Sequence, residues 1–260
     1  MRSRFAFSVA ALLAVLSLVS TACSSPAPAP AAAPPGGGKQ VDAATAGTIS
    51  GKVTFTGTAP KPDMLRMTAD PACVQASGAM VPSEALIVAA DGSVQNTFVY
   101  IKDGVDKAYS FDVPAKAVTL DQRGCKYGPR IIGIRAGQPL EVVNSDATLH
   151  NVHALPMQNQ EFNHGQAEKA PTLTHTFTVP EVMVRFKCDV HGWMLAYVGV
   201  MSNPYFAVTG TDGTFEIKGV PPGTYTLAVW HEKLSGESTQ SVTLGDHDTK
   251  TAAFTFTTLK

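Results

Sequence analysis

Three observations predict an all-β chain built from sandwiches. Short runs rich in Val, Ile, Thr, Phe and Tyr recur at 48–55, 85–88, 97–101, 140–143, 183–186 and 197–200, each bounded by Gly, Pro or Asp-Gly turns. Asp91-Gly92 and Asp212-Gly213 are hairpin signals, because the tight turns that suit strand twist need residues tolerating positive φ. Almost nothing beyond the first fifty residues carries the 3.6-residue apolar spacing of a helix.

The N-terminus is read first. Arg2 and Arg4 precede an uncharged stretch, 5–22, rich in Ala, Leu and Val, which has the charged and apolar regions of a secretory signal. Residues 1–22 are therefore expected to leave the mature chain. Small residues stand just before Cys23, and the stretch resembles the lipobox of bacterial lipoproteins. That resemblance implies lipid on Cys23 and a protein anchored to a membrane rather than spanning it. Ser20 departs from the usual Leu of that motif, which leaves cleavage to a soluble form open. Ser24 after the cysteine points, in those families, to the outer membrane. The expected location is the periplasm or the cell surface. Residues 23–46, dense in Pro, Ala and Gly, cannot bury a core and read as a semi-extended tether of ~3 Å per residue.

The body that follows can bury a sizeable core. With 20 basic against 21 acidic residues and no basic stripe, nucleic acid is excluded as a partner. Its last sixty residues have their own pattern: Asp212-Gly213-Thr214-Phe215, then Pro222-Gly223-Thr224-Tyr225-Thr226-Leu227. This is similar to the carboxypeptidase-regulatory or transthyretin-like sandwich, with its D-G-x-F hairpin and P-x-G-x-Y-x-L strand. Such modules begin with a G-x-V-x-x-x-G strand, and here Gly51, Val53 and Gly57 supply one at the start of the body. Residues 47–111 are therefore expected to complete the sandwich of 203–260, with a domain at 112–202 inserted between them. Consecutive domains are the plainer alternative.

Within 112–202 lie His150-Asn151-Val152-His153 and, downstream, Cys188, His191 and Met194 at three-residue spacing. Cu(I) favours soft sulfur and Cu(II) favours imidazole, so a mixed Cys-His-His set with a weak axial Met serves both oxidation states. His150, Cys188, His191 and Met194 are the candidate ligands of one copper ion. Asn151 is the candidate to tie the two ligand stretches together and tune the sulfur. Zinc is the competing metal, but Met is a poor zinc ligand and the spacing is not that of a finger. His153 alternates away from His150 and is read as a non-ligand. His164 and His175 are read as surface residues, and Trp193 as packing near the ligands.

These stretches resemble cupredoxins of the plastocyanin and amicyanin type, which place the first histidine in an N-x-D-to-H-N-V stretch and the rest in Cys-x-x-His-x-x-Met. The resemblance implies a Greek-key sandwich, a mononuclear blue copper and an exposed edge of His191 as the electron exit. Gly192 stands where amicyanin-like loops carry Pro, which leaves the loop looser. Of the four cysteines, Cys23 and Cys188 are thus accounted for. Cys73 and Cys125 are expected to pair in an oxidising compartment, two buried thiols being the alternative.

The expected function is single-electron transfer between redox partner proteins of the envelope, without chemistry on a substrate. Copper delivery, and a surface interaction module with structural copper, are the alternatives. A copper nitrite reductase would need a second copper with its own histidine set. No Ser-His-Asp signature, paired catalytic carboxylates or phosphate-cradling loop is present.

Overall fold

In the computed structural model, residues 37–235 and 238–260 are described. The signal-like stretch, Cys23 and most of the tether lie outside them. The chain enters in β1 (Gly47–Phe55) and passes through β2 (Met64–Arg66), α1 (Pro71–Ser77) and β3 (Met80–Pro82) to β4 (Phe98–Asp103). Then come β5 (Val118–Gln122), β6 (Tyr127–Gly128), β7 (Ile131–Arg135), β8 (Pro139–Asn144) and β9 (His150–Leu155). After these run β10 (Phe162–Gln166), β11 (Leu173–Thr176), β12 (Glu181–Lys187) and β13 (Leu195–Met201). The chain ends with β14 (Phe206–Val208), β15 (Thr214–Val220), β16 (Gly223–Trp230), β17 (Ser238–Leu244) and β18 (Thr249–Phe256). No helix among the described residues is long and apolar enough to cross a membrane.

The strands form two sandwiches. In the larger, a five-stranded sheet β10-β9-β12-β13-β7 faces a four-stranded sheet β11-β8-β5-β6. Leu120, Leu140, Val152, Phe177, Val184 and Phe186 fill the space between them. In the smaller, β15-β1-β18 faces β14-β4-β16-β17 over Ile49, Val53, Ile101, Leu227 and Phe254. Alternation explains the faces: β15 buries Phe215, Ile217 and Val220 and exposes Thr214, Glu216 and Lys218.

β1 sits between β15 and β18, pairing in parallel with β18 from Thr48 opposite Thr249 to Phe55 opposite Phe256. β4 sits between β14 and β16. Strands from before and after the larger sandwich therefore share both sheets of the smaller one. The segment 47–111 is not wholly given to that sandwich, however. Leu65, Met67, Cys73, Val74 and Val81, from β2 to β3, pack into the core of the larger one. The apolar residues of this excursion follow no period that identifies their partner sheet. The tether also ends earlier than residue 46, because Lys39 pairs with Tyr109, its N–H donating to Ala108 C=O at 2.7 Å.

α1 follows from local chemistry. Asp70 caps it by accepting the Ala72 N–H at 2.8 Å, Pro71 opens it, and Gly78, at φ 98°, ends it. Between the sandwiches, Gly133 of β7 lies opposite Gly199 of β13, and the rings of Phe98 and Phe206 lie against this bare stripe. Arg130 and Glu232 form a nearly buried, bidentate ion pair across the same boundary.

Candidate metal centre

His150 opens β9, and Cys188, His191 and Met194 lie on the turn between β12 and β13. That turn closes on itself: the Met194 N–H donates to His191 C=O at 2.9 Å and the Cys188 N–H to Met194 C=O at 3.2 Å. All four side chains are buried, none in a residue more than 2% exposed. The Nδ1 atoms of His150 and His191 are 3.0 Å apart, and Cys188 Sγ is 3.9 Å from His191 Nδ1. His150, Cys188 and His191 thus bring three donor atoms to one point. Met194 belongs to the same core as Cys188.

The sulfur accepts two backbone hydrogen bonds, from the N–H groups of Asn151 and His191, each at 3.3 Å. Asn151 Oδ1 also accepts the Asp189 N–H at 3.0 Å, so this residue joins the two ligand stretches. Tyr127, from β6, donates its hydroxyl to the carbonyl of Asn151, and burial raises its pKa well above the usual phenol range. These bonds hold the donors before any metal arrives.

The outer nitrogens have partners that the sequence did not announce. His150 Nε2 lies 2.9 Å from Asp146 Oδ2, and His191 Nε2 lies 3.0 Å from Asp70 Oδ2. Asp146 also accepts the N–H groups of Gly124 and Cys125, both at 2.7 Å. Asp70 accepts Thr148 Oγ1 at 2.8 Å as well as its capping bond to Ala72. Burial works against ionisation of Asp70, but the bonds from Thr148, Ala72 and His191 outweigh it and hold the pKa below its ordinary value. Burial pushes the pKa of His150 down, against the pull of Asp146, which favours the neutral ring a metal needs.

The donor set passes a chemical test for a cation. A carboxylate only accepts, so each His Nε2 carries its proton, and in a neutral ring Nδ1 then offers a lone pair. Two lone pairs 3.0 Å apart, with a sulfur beside them, repel unless a proton or a metal ion lies between. A soft sulfur with two imidazoles suits copper.

One expectation is overturned. The edge of His191 is not exposed: its residue is 2% accessible, because Asp70 and Cys73 of the α1 region lie over Nε2, the Cys73 sulfur at 3.7 Å. Cys73 and Cys125 form the disulfide, with Cα atoms 5.4 Å apart, and it joins α1 to the β5–β6 turn. Trp193 is half-buried, its ring 5.1 Å from His191, and its Nε1–H donates to Cys125 C=O at 2.9 Å. His153 points away to Asp189 and Glu161, at 2.9 and 2.8 Å. His164 is exposed, whereas His175 is packed between Phe162 and Phe177, where burial lowers its pKa.

Asp70 carried a readable signal as Asp-Pro, a helix start, but its partner is 121 residues away. Asp146 stands four residues before His150, where a loop places it under the ring: its N–H donates to Asn144 Oδ1 at 3.0 Å, and Asn144 Nδ2 donates to Thr148 C=O at 2.9 Å.

Residues 177–252 match the family model described as polysaccharide lyase family 4, domain II. The match begins in the larger sandwich and lacks β1 and β4 of the smaller one. No curated protein matches the chain. Among solved structures, amicyanin from Paracoccus versutus is 26% identical over 40% of this chain and 97% of its own, at a TM-score of 0.30. A Cu-containing nitrite reductase from Thermus scotoductus is 20% identical over 39% of this chain, at a TM-score of 0.32, and the match spans only 26% of that enzyme. A purple cupredoxin from Nitrosopumilus maritimus is 21% identical over 29% of this chain and 82% of its own, at a TM-score of 0.26. At such scores the likeness adds nothing to the chemistry of the centre, which rests on the geometry above.

Proposed function

We propose that this chain is an exported, lipid-tethered copper protein that passes single electrons between redox partners of the cell envelope. One observation carries the reading: two imidazole Nδ1 atoms and a thiol sulfur face one buried point while both outer nitrogens are held by carboxylates. His150, Cys188 and His191 would hold copper, with the Met194 thioether as a further, weaker donor. Copper supplies the one-electron couple at this centre.

The residues around it do the rest. Two N–H groups fixed on Cys188 Sγ steady the sulfur in both charge states. The buried turn and the disulfide-bound α1 keep water from the imidazoles. With the His191 edge covered, the half-buried Trp193 ring beside it is the route toward solvent. The lipid tether and the absence of substrate chemistry rest on the sequence reading alone.

The test is a visible spectrum with a redox titration of the purified chain. The oxidised protein should absorb strongly in the red through sulfur-to-copper charge transfer, and bleach and recover reversibly. Bleaching accompanied by loss of metal would make delivery the better account. A Cys188→Ser variant that keeps the red band would end the proposal.

A further inference from the structure

Each of the two carboxylates behind the imidazoles accepts three hydrogen bonds. Asp146 accepts from Gly124, Cys125 and His150, and Asp70 from Ala72, Thr148 and His191, each using both oxygens. An amide in either place offers one acceptor oxygen and two N–H donors, so it cannot satisfy the same set. The carboxylates are also linked to one another: Cys73 lies one turn beyond Asp70, Cys125 donates to Asp146, and the disulfide joins the two. Around one point the protein has therefore gathered a cysteine sulfur and two carboxylates, and among the described residues no lysine or arginine is hydrogen-bonded to either carboxylate.

We infer that Asp70 and Asp146 are a matched pair of positioning residues that fix both imidazoles with Nδ1 inward and bias the centre toward the more highly charged, oxidised metal. The inference rests on the copper reading and adds to it. A carboxylate on the far nitrogen raises the basicity of the imidazole. With Cys188 bound as a thiolate, three surrounding negative charges favour a dication over a monocation, the more so where burial limits screening. The sulfur pair of Cys188 and Met194 favours the monocation, so the carboxylates oppose the soft ligands and set the balance between the two.

The test uses the full chain with Asp70→Asn and Asp146→Asn made separately, and thermal unfolding to confirm that each folds. Cu(II) and Cu(I) affinities are measured by chelator competition and the potential by titration. Outer carboxylates of this kind are typically worth ~10–100-fold in metal affinity. Each variant should lose at least about tenfold in Cu(II) affinity relative to Cu(I), a rise of about 59 mV for a one-electron couple, while keeping the red band. In the metal-free protein, ¹⁵N-resolved imidazole spectra should show both Nε2–H groups slowly exchanging, and each variant should lose the one on its own histidine. Equal losses for the two oxidation states, or an unchanged tautomer, would overturn the inference. A wild-type protein without the red band would instead refute the copper reading, and the metal-free spectra would still judge the carboxylates.

Discussion

Replacing Gly199 with Ala should loosen the join between the sandwiches. A Cβ built on Gly199 would lie 2.6 Å from Phe98 Cζ, 2.8 Å from Cε1 and 3.1 Å from Met183 Sδ. Carbon atoms rest about 3.5–4.0 Å apart, so the ring must retreat by about 1 Å. Phe98 has nowhere to go: it is fully buried on β4 and stacked on Phe206 at 5.7 Å. Overpacking of this kind costs about 1–3 kcal/mol, and about 2 kcal/mol would lower Tm by about 4–8 °C in a body of this size. Phe98→Leu removes the atoms that clash, so the double variant should recover about 1 kcal/mol relative to additivity. Urea and thermal melts followed by tryptophan fluorescence give the cycle, because Trp230 packs at this boundary. A Gly199→Ala protein within about 0.5 kcal/mol of the parent, or a strictly additive double variant, would refute close apposition of the two bodies.

Three further outcomes are expected. Replacing Cys73 and Cys125 together with Ala should cost about 4 kcal/mol in the chain-entropy account of a loop spanning 52 residues, read as a fall in urea midpoint. His231 is held near pKa 4 by burial and then by Lys260, below its usual 6.5. The unfolded chain binds that proton first, so this residue's contribution is complete above pH 6.5 and falls by about 3 kcal/mol as pH drops to 4. The difference in unfolding free energy between the parent and His231→Phe should follow that window, and a pH-independent difference would count against the burial. Gly192→Ala adds a Cβ that meets nothing within 4 Å, so it should stabilise the ligand turn by about 0.4–1 kcal/mol through the unfolded state, seen as a higher Tm with the red band unchanged.

The donors were legible because they come in two short stretches whose chemistry is local. His150 stands alone at the head of one, and Cys188, His191 and Met194 share a single turn. β1 and β15 were legible through β-branched and aromatic composition beside Gly and Asp-Gly turns, which are likewise local signals. What escaped was long-range. Nothing in a single sequence pairs Asp70 with His191, and the covering of that ring by α1 reverses the expectation of an exposed edge. The apolar residues at 65, 67, 74 and 81 lie in irregular structure, where no period says which sheet they will meet. Lys39 docks through backbone bonds and a contact over Tyr109, and backbone bonds leave no trace in side-chain composition.

The parallel pairing of β1 with β18 has a consequence for the order in which the molecule can be assembled. Synthesis proceeds from the N-terminus, and domains form as their strands become available. Every strand of the larger sandwich has emerged once Met201 is made, whereas the smaller one lacks an edge partner for β1 until Phe256 is out. The ligand cage can therefore close while its pedestal is still an open sheet, and the emergence of β18 is the event that completes the base on which the cage stands.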